Sequence, residues 1–217
     1  MIETKEDGSI TTFTYTYDGS KIVSIIRTDG ISDIYAYTGN LITYIKHTNT
    51  YFTSETFIEY DNNNRKIIEK TFNTILQPNV VLEKIDMVTF SYSPNGTVTS
   101  SVYVGDSESE MELNNSSTIT YNNGNTISFE TTSGLGNYDH IYDTKNNSMK
   151  NVLGYHEYMR PDYDGKHNCL TAYTKPEGAI YTFTYTYNLA NYPETSTLKG
   201  KRLDGEYVTT KKQYFYE

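Results

Sequence analysis

Short runs in which threonine alternates with an aromatic residue constrain the fold of this chain more than any other feature. The run TFTYTY occurs at Thr12–Tyr17 and again at Thr182–Tyr187. Successive side chains of a β-strand point to opposite faces, so the rings of each run share one face and the threonines share the other. Threonine is β-branched and favours extended backbone, while a face of rings can be buried. Both runs therefore predict strands with an aromatic core face.

A turn rich in asparagine, aspartate and glycine follows many of these strands. The sequence DGS follows Tyr17 and leads into KIVSIIR, and SPNG follows Tyr92 and leads into TVTSSVYV. Turns of the same kind follow Tyr37, Tyr60 and Tyr121. These residue types favour the tight turns of β-hairpins. The pattern predicts an all-β fold, an antiparallel meander of successive hairpins that forms a twisted sheet, an open sandwich or a barrel.

The intervals between the strand-ending tyrosines are unequal, which argues against a solenoid, because stacked repeats need a nearly constant period. One stretch, residues 143–178, interrupts the hairpin pattern, which then resumes unchanged. A chain of 217 residues is within the size range of one large all-β domain. We therefore predict a single tyrosine-rich β domain over residues 1–217, with a helix-and-loop insert at residues 143–178.

A short helix is predicted inside this insert. Met149, Val152 and Leu153 are spaced so that one face of a helix could bury all three side chains. Gly154 is expected to end that helix. Residues 160–178 contain two prolines and an Asp-Gly pair, so they are predicted to form a loop.

The charge and composition exclude several classes of protein. The chain has 23 tyrosines and a formal charge of −9. Aromatic residues make up 14% of the chain, whereas disordered chains are poor in them, so this chain is expected to fold. The acidic charge repels phosphate backbones, so no nucleic-acid partner is expected. No run of about 18 apolar residues is present, so no membrane-spanning helix is predicted.

The compartment is not decided by the residues themselves. The N-terminal sequence MIETKEDGSI lacks the basic and apolar segments of a secretory signal. Either the protein is cytosolic or a signal has been removed. The single cysteine, Cys169, excludes an internal disulfide and is compatible with either compartment.

Two of the hairpins resemble the YD repeats of Rhs-type proteins. Those repeats contain Tyr-Asp, a short spacer, Gly-Arg and then an apolar residue. The dipeptide is matched at Tyr17-Asp18 and at Tyr60-Asp61. Arg65 matches the basic position, whereas Asn64 stands where glycine is expected. Full Rhs proteins build closed β shells around toxins, and this chain has far too few strands for that role.

The whole chain is similar to a group of small, uncharacterised bacterial envelope lipoproteins. The likeness rests on the degenerate YD-like strands, the internal segment NNSMKNVLG and the tyrosine-rich segment YTFTYTYNLANYPE near the end. It implies a location in the bacterial cell envelope, in the periplasm or on the outer-membrane surface, or secretion. It also implies a signal peptide and a lipid-bearing cysteine upstream, membrane contact only through that anchor, and no activity. From the residues alone, a cytoplasmic location stays open.

The densest set of reactive side chains lies between residues 139 and 169. A zinc site would take His140, His156, His167 and Cys169 as ligands, and a thiol hydrolase would use Cys169 as nucleophile with a histidine as base. The spacing matches no established zinc pattern, and the alternative is an irregular polar insert with a buried thiol. We therefore predict that the protein is not an enzyme and binds no cofactor. The alternative is a metal-dependent or thiol hydrolase centred on residues 139–169.

Exposed tyrosines are the best candidates for binding. A tyrosine offers a flat apolar face with a hydroxyl group, which suits a sugar ring. Tyr155, Tyr158 and Tyr163 lie together in YHEYMRPDY, within the predicted insert. The sequence thus predicts a non-enzymatic secreted or lipid-anchored cell-envelope protein, either a binding module or a structural and accessory module. Its partner would be a glycan or another envelope protein.

Overall fold

The predicted strands are present and follow one another as hairpins. The computed structural model describes residues 1–77, 80–133, 136–158, 165–175, 178, 180–201 and 206–216. Within these residues, the first eight strands are β1 Ile2–Lys5, β2 Ile10–Asp18, β3 Lys21–Arg27, β4 Ser32–Thr38, β5 Leu41–Thr48, β6 Phe52–Tyr60, β7 Lys66–Gln77 and β8 Val80–Tyr92. The next eight are β9 Thr97–Gly105, β10 Glu112–Asn122, β11 Asn125–Thr131, β12 Asn137–Tyr142, β13 Cys169–Lys175, β14 Ile180–Tyr187, β15 Pro193–Lys201 and β16 Tyr207–Gln213. A 3-10 turn at Glu108–Glu110 and a short helix, α1 at Tyr155–Tyr158, complete the elements.

The order of the strands in the sheet closes on itself. Each strand is hydrogen-bonded to the strands before and after it in the chain. The first strand, β1, pairs antiparallel with the last, β16, with Ile2 opposite Gln213 and Lys5 opposite Thr210. The sheet is therefore a closed antiparallel barrel of successive hairpins, which confirms the predicted all-β meander in its barrel form.

The chain divides into two compact units. The first, called the terminal unit, comprises residues 1–13, 118–151 and 159–217. The second, called the central unit, comprises residues 14–117 and 152–158. The expectation of a single domain stays a prediction.

Three isoleucines on neighbouring strands form the core of the central unit. Ile42 and Ile45 of β5 and Ile58 of β6 are buried together. The rings that pack against them are those of Tyr35, Tyr37, Tyr60 and Tyr158. Aromatic rings bury large apolar areas and so contribute strongly to such a core. The face that carries the tyrosines is thus the core face, as the alternation predicts.

One position is buried in hairpin after hairpin, five or six residues beyond the tyrosine that ends a strand. In the central unit this position is held by Ile22, Ile42, Lys66 and Val98, none of which is more than 5% exposed. Three of the four are apolar, which is the usual character of a fully buried side chain. Lys66 is the exception, because a lysine is rarely buried without a partner.

The strand-ending tyrosines bond to the start of the preceding strand. The hydroxyl of Tyr60 donates to the carbonyl of Ile42 over 2.7 Å, and the hydroxyl of Tyr92 donates to the carbonyl of Lys66 over 2.7 Å. The hydroxyl of Tyr37 accepts the N–H of Ile22 over 3.1 Å. A buried polar atom is costly unless it is hydrogen-bonded, so these bonds allow the tyrosine rings to be packed inside.

The segment that carries α1 lies close to the turns of the central unit. The N–H of Leu153 donates to the carbonyl of Ser20 over 2.9 Å. Gly154 has a φ of +72°, and a Cβ atom there would lie 2.6 Å from the carbonyl oxygen of Asn40. Only glycine fits both the backbone conformation and this approach. None of the helices in the described part of the chain has the length and apolar character needed to cross a membrane.

Two details of the predicted insert are wrong. The helix begins after Gly154 instead of ending there, because the side chain of Asn147 accepts the N–H of Met149 and favours a turn over a helix. The sequence predicts a loop at residues 160–178, whereas Cys169–Lys175 form β13. Residues 160–164, 176 and 177 lie outside the described residues. Strand β13 pairs with both β12 and β14, so tertiary hydrogen bonding on both edges decides its conformation.

Candidate functional site

The core face of the central unit becomes polar towards one end of its strands. Asp33 of β4 lies opposite His47 of β5, which lies opposite Ser54 of β6. Ser54 lies opposite Asn73 of β7, and Asn73 lies opposite Lys84 of β8. These five residues are called the polar row. His47 is two residues from the core residue Ile45, so the polar row is on the core face.

A cavity of 370 Å³ adjoins the polar row. Its walls include Phe52, Asn73, Ile75, Lys84, Asp86 and Val104. Phe52 lies opposite Ile75, and Asp86 lies opposite Val104, so strand pairing sets the relative positions of these side chains. Ligand sites commonly have volumes of about 300–1,000 Å³ and combine apolar walls with a few polar groups. The volume of the cavity is within this range, and its lining includes apolar and polar residues.

Hydrogen bonds fix the polar groups of the cavity. The side-chain amide of Asn73 donates to a carboxylate oxygen of Asp86, with 2.7 Å between Nδ2 and Oδ2. The ammonium of Lys84 forms an ion pair with Asp106, and both side chains are at least half exposed. Asp86 and Lys84 therefore offer a carboxylate and an ammonium to the same small space. Groups held in place before a ligand arrives lose less freedom when it binds.

The aromatic wall of the cavity is also held in place. The ring of His47 stacks on the ring of Phe52, with centroids 5.3 Å apart and an angle of 27° between the planes. On its other side, Nδ1 of His47 lies 2.7 Å from a carboxylate oxygen of Asp33. Asp33 thus orients His47, and His47 supports Phe52.

Asp33, His47 and Ser54 are the residue types of a Ser-His-Asp catalytic triad, and they are neighbours on adjacent strands. A working nucleophile needs a hydrogen bond from the serine hydroxyl to the histidine. No such bond joins His47 and Ser54 in the part of the chain that the structure describes, although both residues are included there. The arrangement therefore supports binding better than covalent catalysis.

The four residues of the zinc hypothesis have separate local partners. His156 belongs to the central unit, whereas His140, His167 and Cys169 belong to the terminal unit. Nδ1 of His140 lies 3.2 Å from the carbonyl of Thr126, and Nδ1 of His167 bonds to Asn125 over 2.9 Å. Over the described ranges of the chain, His, Cys, Asp and Glu form no group of three or more that could hold a metal ion. The zinc site stays a prediction.

Cys169 is an inert thiol in this structure. It is 4% exposed, and its Sγ donates to the carbonyl of Thr171 over 3.4 Å. Burial raises the pKa of the thiol to about 12. A nucleophilic cysteine needs a lowered pKa, because the thiolate is the reactive form. At neutral pH the group is protonated and unsuited to the thiol-hydrolase role.

The three tyrosines of the predicted platform differ in their surroundings. Tyr158 packs against the isoleucine core, and the ammonium of Lys66 lies 5.2 Å from the centre of its ring. Tyr155 is partly buried and meets the ring of His156 edge-on, with centroids 6.5 Å apart. Tyr163 lies outside the described residues. The platform stays a prediction, and the ring of Tyr158 is part of the packing around the isoleucine core.

None of the cavity residues is among the site residues that we predict from the sequence. Phe52, Asn73 and Asp86 stand on three different strands and share no short motif. One signal is visible, since Asn73 and Asp86 each lie two residues from an apolar residue on the same face of the strand, Ile75 and Val88. That signal has meaning only when the register between strands is known.

The fold is similar to that of a solved porin-like protein. No protein-family model matches the chain, and no curated protein is similar to it. A porin-like protein from Bacteroides vulgatus ATCC 8482 is 10% identical, with a TM-score of 0.57 over 99% of this chain and 97% of that chain. A porin-like protein from Bacteroides uniformis ATCC 8492 is 13% identical, with a TM-score of 0.38 over 96% of this chain and 78% of that chain. The first likeness shows the fold.

Proposed function

We propose that the protein is a non-enzymatic cell-envelope protein that binds a small ligand in the cavity of the central unit. The cavity is the observation that carries this proposal. Phe52 and Ile75 provide apolar walls, and Asn73, Asp86 and Lys84 provide hydrogen-bonding groups beside them. Such a combination is the usual lining of a ligand site.

The absence of an activated nucleophile supports binding over catalysis. Within the described residues, the single cysteine is buried and protonated at neutral pH. Ser54 lies beside His47 without a hydrogen bond between their side chains, so neither group is poised for attack. The cavity residues can hold a ligand, and nothing among them requires that a bond be broken.

The fold and the surface charges support an envelope location in contact with water. A porin-like protein has the same fold, which is compatible with an envelope role for this chain. On the face of the strands opposite the core, Lys46 pairs with Glu55 over 3.1 Å and Lys70 pairs with Glu108 over 3.2 Å. A basic side chain on a lipid-facing strand costs about 2–4 kcal/mol at mid-membrane. We therefore propose an aqueous envelope compartment, with any membrane contact made through an anchor.

Ligand-observed NMR tests the binding proposal. The protein is mixed with a panel of sugars, amino acids, dipeptides and nucleosides, and saturation transfer identifies the compounds that bind. We expect at least one class to bind, and we expect Phe52→Ala to abolish its signal. Phe57→Ala is the matched control, because Phe57 is on the same strand but on the opposite face and is 44% exposed. A panel without binders, or binders that Phe52→Ala leaves unchanged, overturns the proposal.

Cell fractionation tests the location. An antibody against the protein is used on the envelope, periplasmic, secreted and cytoplasmic fractions of the bacterium that produces it. We expect the protein outside the cytoplasmic fraction. Recovery only with cytoplasmic marker enzymes contradicts the envelope assignment without affecting the binding proposal.

A further inference from the structure

The volume and the aromatic lining of the cavity suit a ring-sized ligand with one flat apolar face. The ring of Phe52 forms part of the wall, and its contact with His47 fixes its orientation. Ile75, Ile85 and Val104 are the aliphatic residues of the lining. A volume of 370 Å³ is near the lower end of the range for ligand sites, about 300–1,000 Å³.

The polar groups beside the Phe52 ring match a ligand rich in hydroxyls. Asn73 uses one amide hydrogen on Asp86, and an amide has a second hydrogen and a carbonyl oxygen that can still bond. The carboxylate of Asp86 accepts that bond on Oδ2 and can accept several more. Adjacent hydroxyls both donate and accept, so they can satisfy a carboxylate and an amide that lie side by side.

The charges around the cavity select against anions. The cavity lining contains Asp86 and Lys84, Lys84 forms an ion pair with Asp106, and Asp33 pairs with His47 farther along the polar row. Lys84 is already engaged by Asp106. An acidic ligand would meet the carboxylate of Asp86, and like charges at short range repel. The net charge of −9 of the whole chain acts in the same direction.

We infer that the ligand is a neutral sugar residue, with one pyranose face on Phe52 and its hydroxyls on Asn73 and Asp86. The inference rests on the proposed binding function and adds to it the chemical class of the ligand. Uronic and sialic acids are disfavoured by their negative charge. Amino acids and dipeptides fit less well, because each brings a carboxylate that Asp86 repels.

Titration with paired sugars tests the inference. Methyl hexopyranosides of gluco, galacto and manno configuration are titrated by NMR or calorimetry, each beside its uronic acid. We expect at least one neutral sugar to bind, and its uronic acid to bind at least about tenfold more weakly. Phe52→Ala should lower the affinity for the neutral sugar by about tenfold or more, and Phe57→Ala should leave that affinity unchanged. Asp86→Asn should reduce the difference in affinity between the neutral sugar and its uronic acid, because it removes the negative charge that repels the acid.

The outcomes distinguish a failure of the sugar assignment from a failure of the proposed binding function. Binding of amino acids or dipeptides in the cavity without any neutral sugar overturns the sugar assignment and leaves the binding function standing. Equal affinity for a sugar and its uronic acid also overturns it. A protein that binds no compound of any class overturns both. Thermal unfolding of each variant shows whether a lost signal reflects a lost fold, and Asp86→Asn, which preserves shape, is informative where Phe52→Ala does not fold.

Discussion

The buried ammonium of Lys66 donates a 3.0 Å hydrogen bond to the carbonyl of Tyr158, the last residue of α1. The same ammonium lies 2.8 Å from the carboxylate of Glu69, and both side chains are almost fully buried. In the preceding hairpins the equivalent position is occupied by isoleucine, at Ile22 and at Ile42. The replacement of an apolar residue by lysine thus coincides with the place where α1 is held against the sheet.

Replacing Lys66 by methionine is expected to destabilise the protein strongly. The variant leaves the buried carboxylate of Glu69 without the ammonium that faces it, and breaking a buried pair in this way costs about 3–5 kcal/mol. Denaturant unfolding measures this loss. The matched control is Lys70→Met on the same strand. The side chains of Lys70 and Glu108 are 29% and 61% exposed, so the loss of this pair should cost less than about 1 kcal/mol. Equal costs for the two variants would show that the buried pair has no special role.

Gly154→Ala is expected to destabilise the protein by at least about 2 kcal/mol, because it adds a steric clash to a left-handed backbone conformation. The new Cβ atom would lie 2.6 Å from the carbonyl oxygen of Asn40. The control is Gly39→Ala in the adjacent turn, where φ is +60° but nothing lies within 4 Å of the new atom. That variant should cost about 1 kcal/mol from backbone strain alone. Thermal or denaturant unfolding compares the two, and a smaller loss for Gly154→Ala than for Gly39→Ala contradicts the close approach.

Much of the fold is readable from the sequence because its signals are local. The hairpin at Tyr60 illustrates this, since the carboxylate of Asp61 accepts the main-chain N–H groups of Asn63 and Arg65 within one turn. In the second TFTYTY run, the rings are partly buried and the threonines are exposed, and the hydroxyl of Tyr185 donates to the carbonyl of Cys169 over 3.1 Å. Alternation and turn chemistry are sufficient for predictions of this kind.

The cavity and the helix could not be read in the same way. Phe52, Asn73 and Asp86 become neighbours only through the register of β6, β7 and β8, which no short stretch of sequence specifies. The position of α1 depends on Gly154 meeting the turn at Asn40, a contact between residues more than a hundred positions apart. Both features are set by tertiary packing.

Cys169 is expected to be unreactive in the folded protein. Its buried thiol is also expected to lower the stability of the fold at alkaline pH. Burial raises the pKa of its thiol from 9.0 to about 12, so the folded protein keeps its proton at pH values where the unfolded chain has lost it. The unfolded state is then favoured as the pH rises from about 9 towards 12, and stability falls across that window. A thiol reagent at pH 8 should modify the protein only after denaturation. Cys169→Ala should flatten part of the alkaline loss, and rapid labelling of the native protein would contradict the buried position.

Tyr60→Phe tests whether the strand-ending tyrosines stabilise the fold through their hydroxyls. The variant keeps the ring in the core but removes the 2.7 Å bond to the carbonyl of Ile42, so we expect a loss of about 1 kcal/mol in the free energy of unfolding. Tyr92→Phe should lose a similar amount, because its hydroxyl makes the equivalent bond to Lys66. Tyr51→Phe is the control, since Tyr51 is 73% exposed and its hydroxyl is accessible to water in either state. If the three variants are equally stable, the repeated tyrosines are retained for their rings alone.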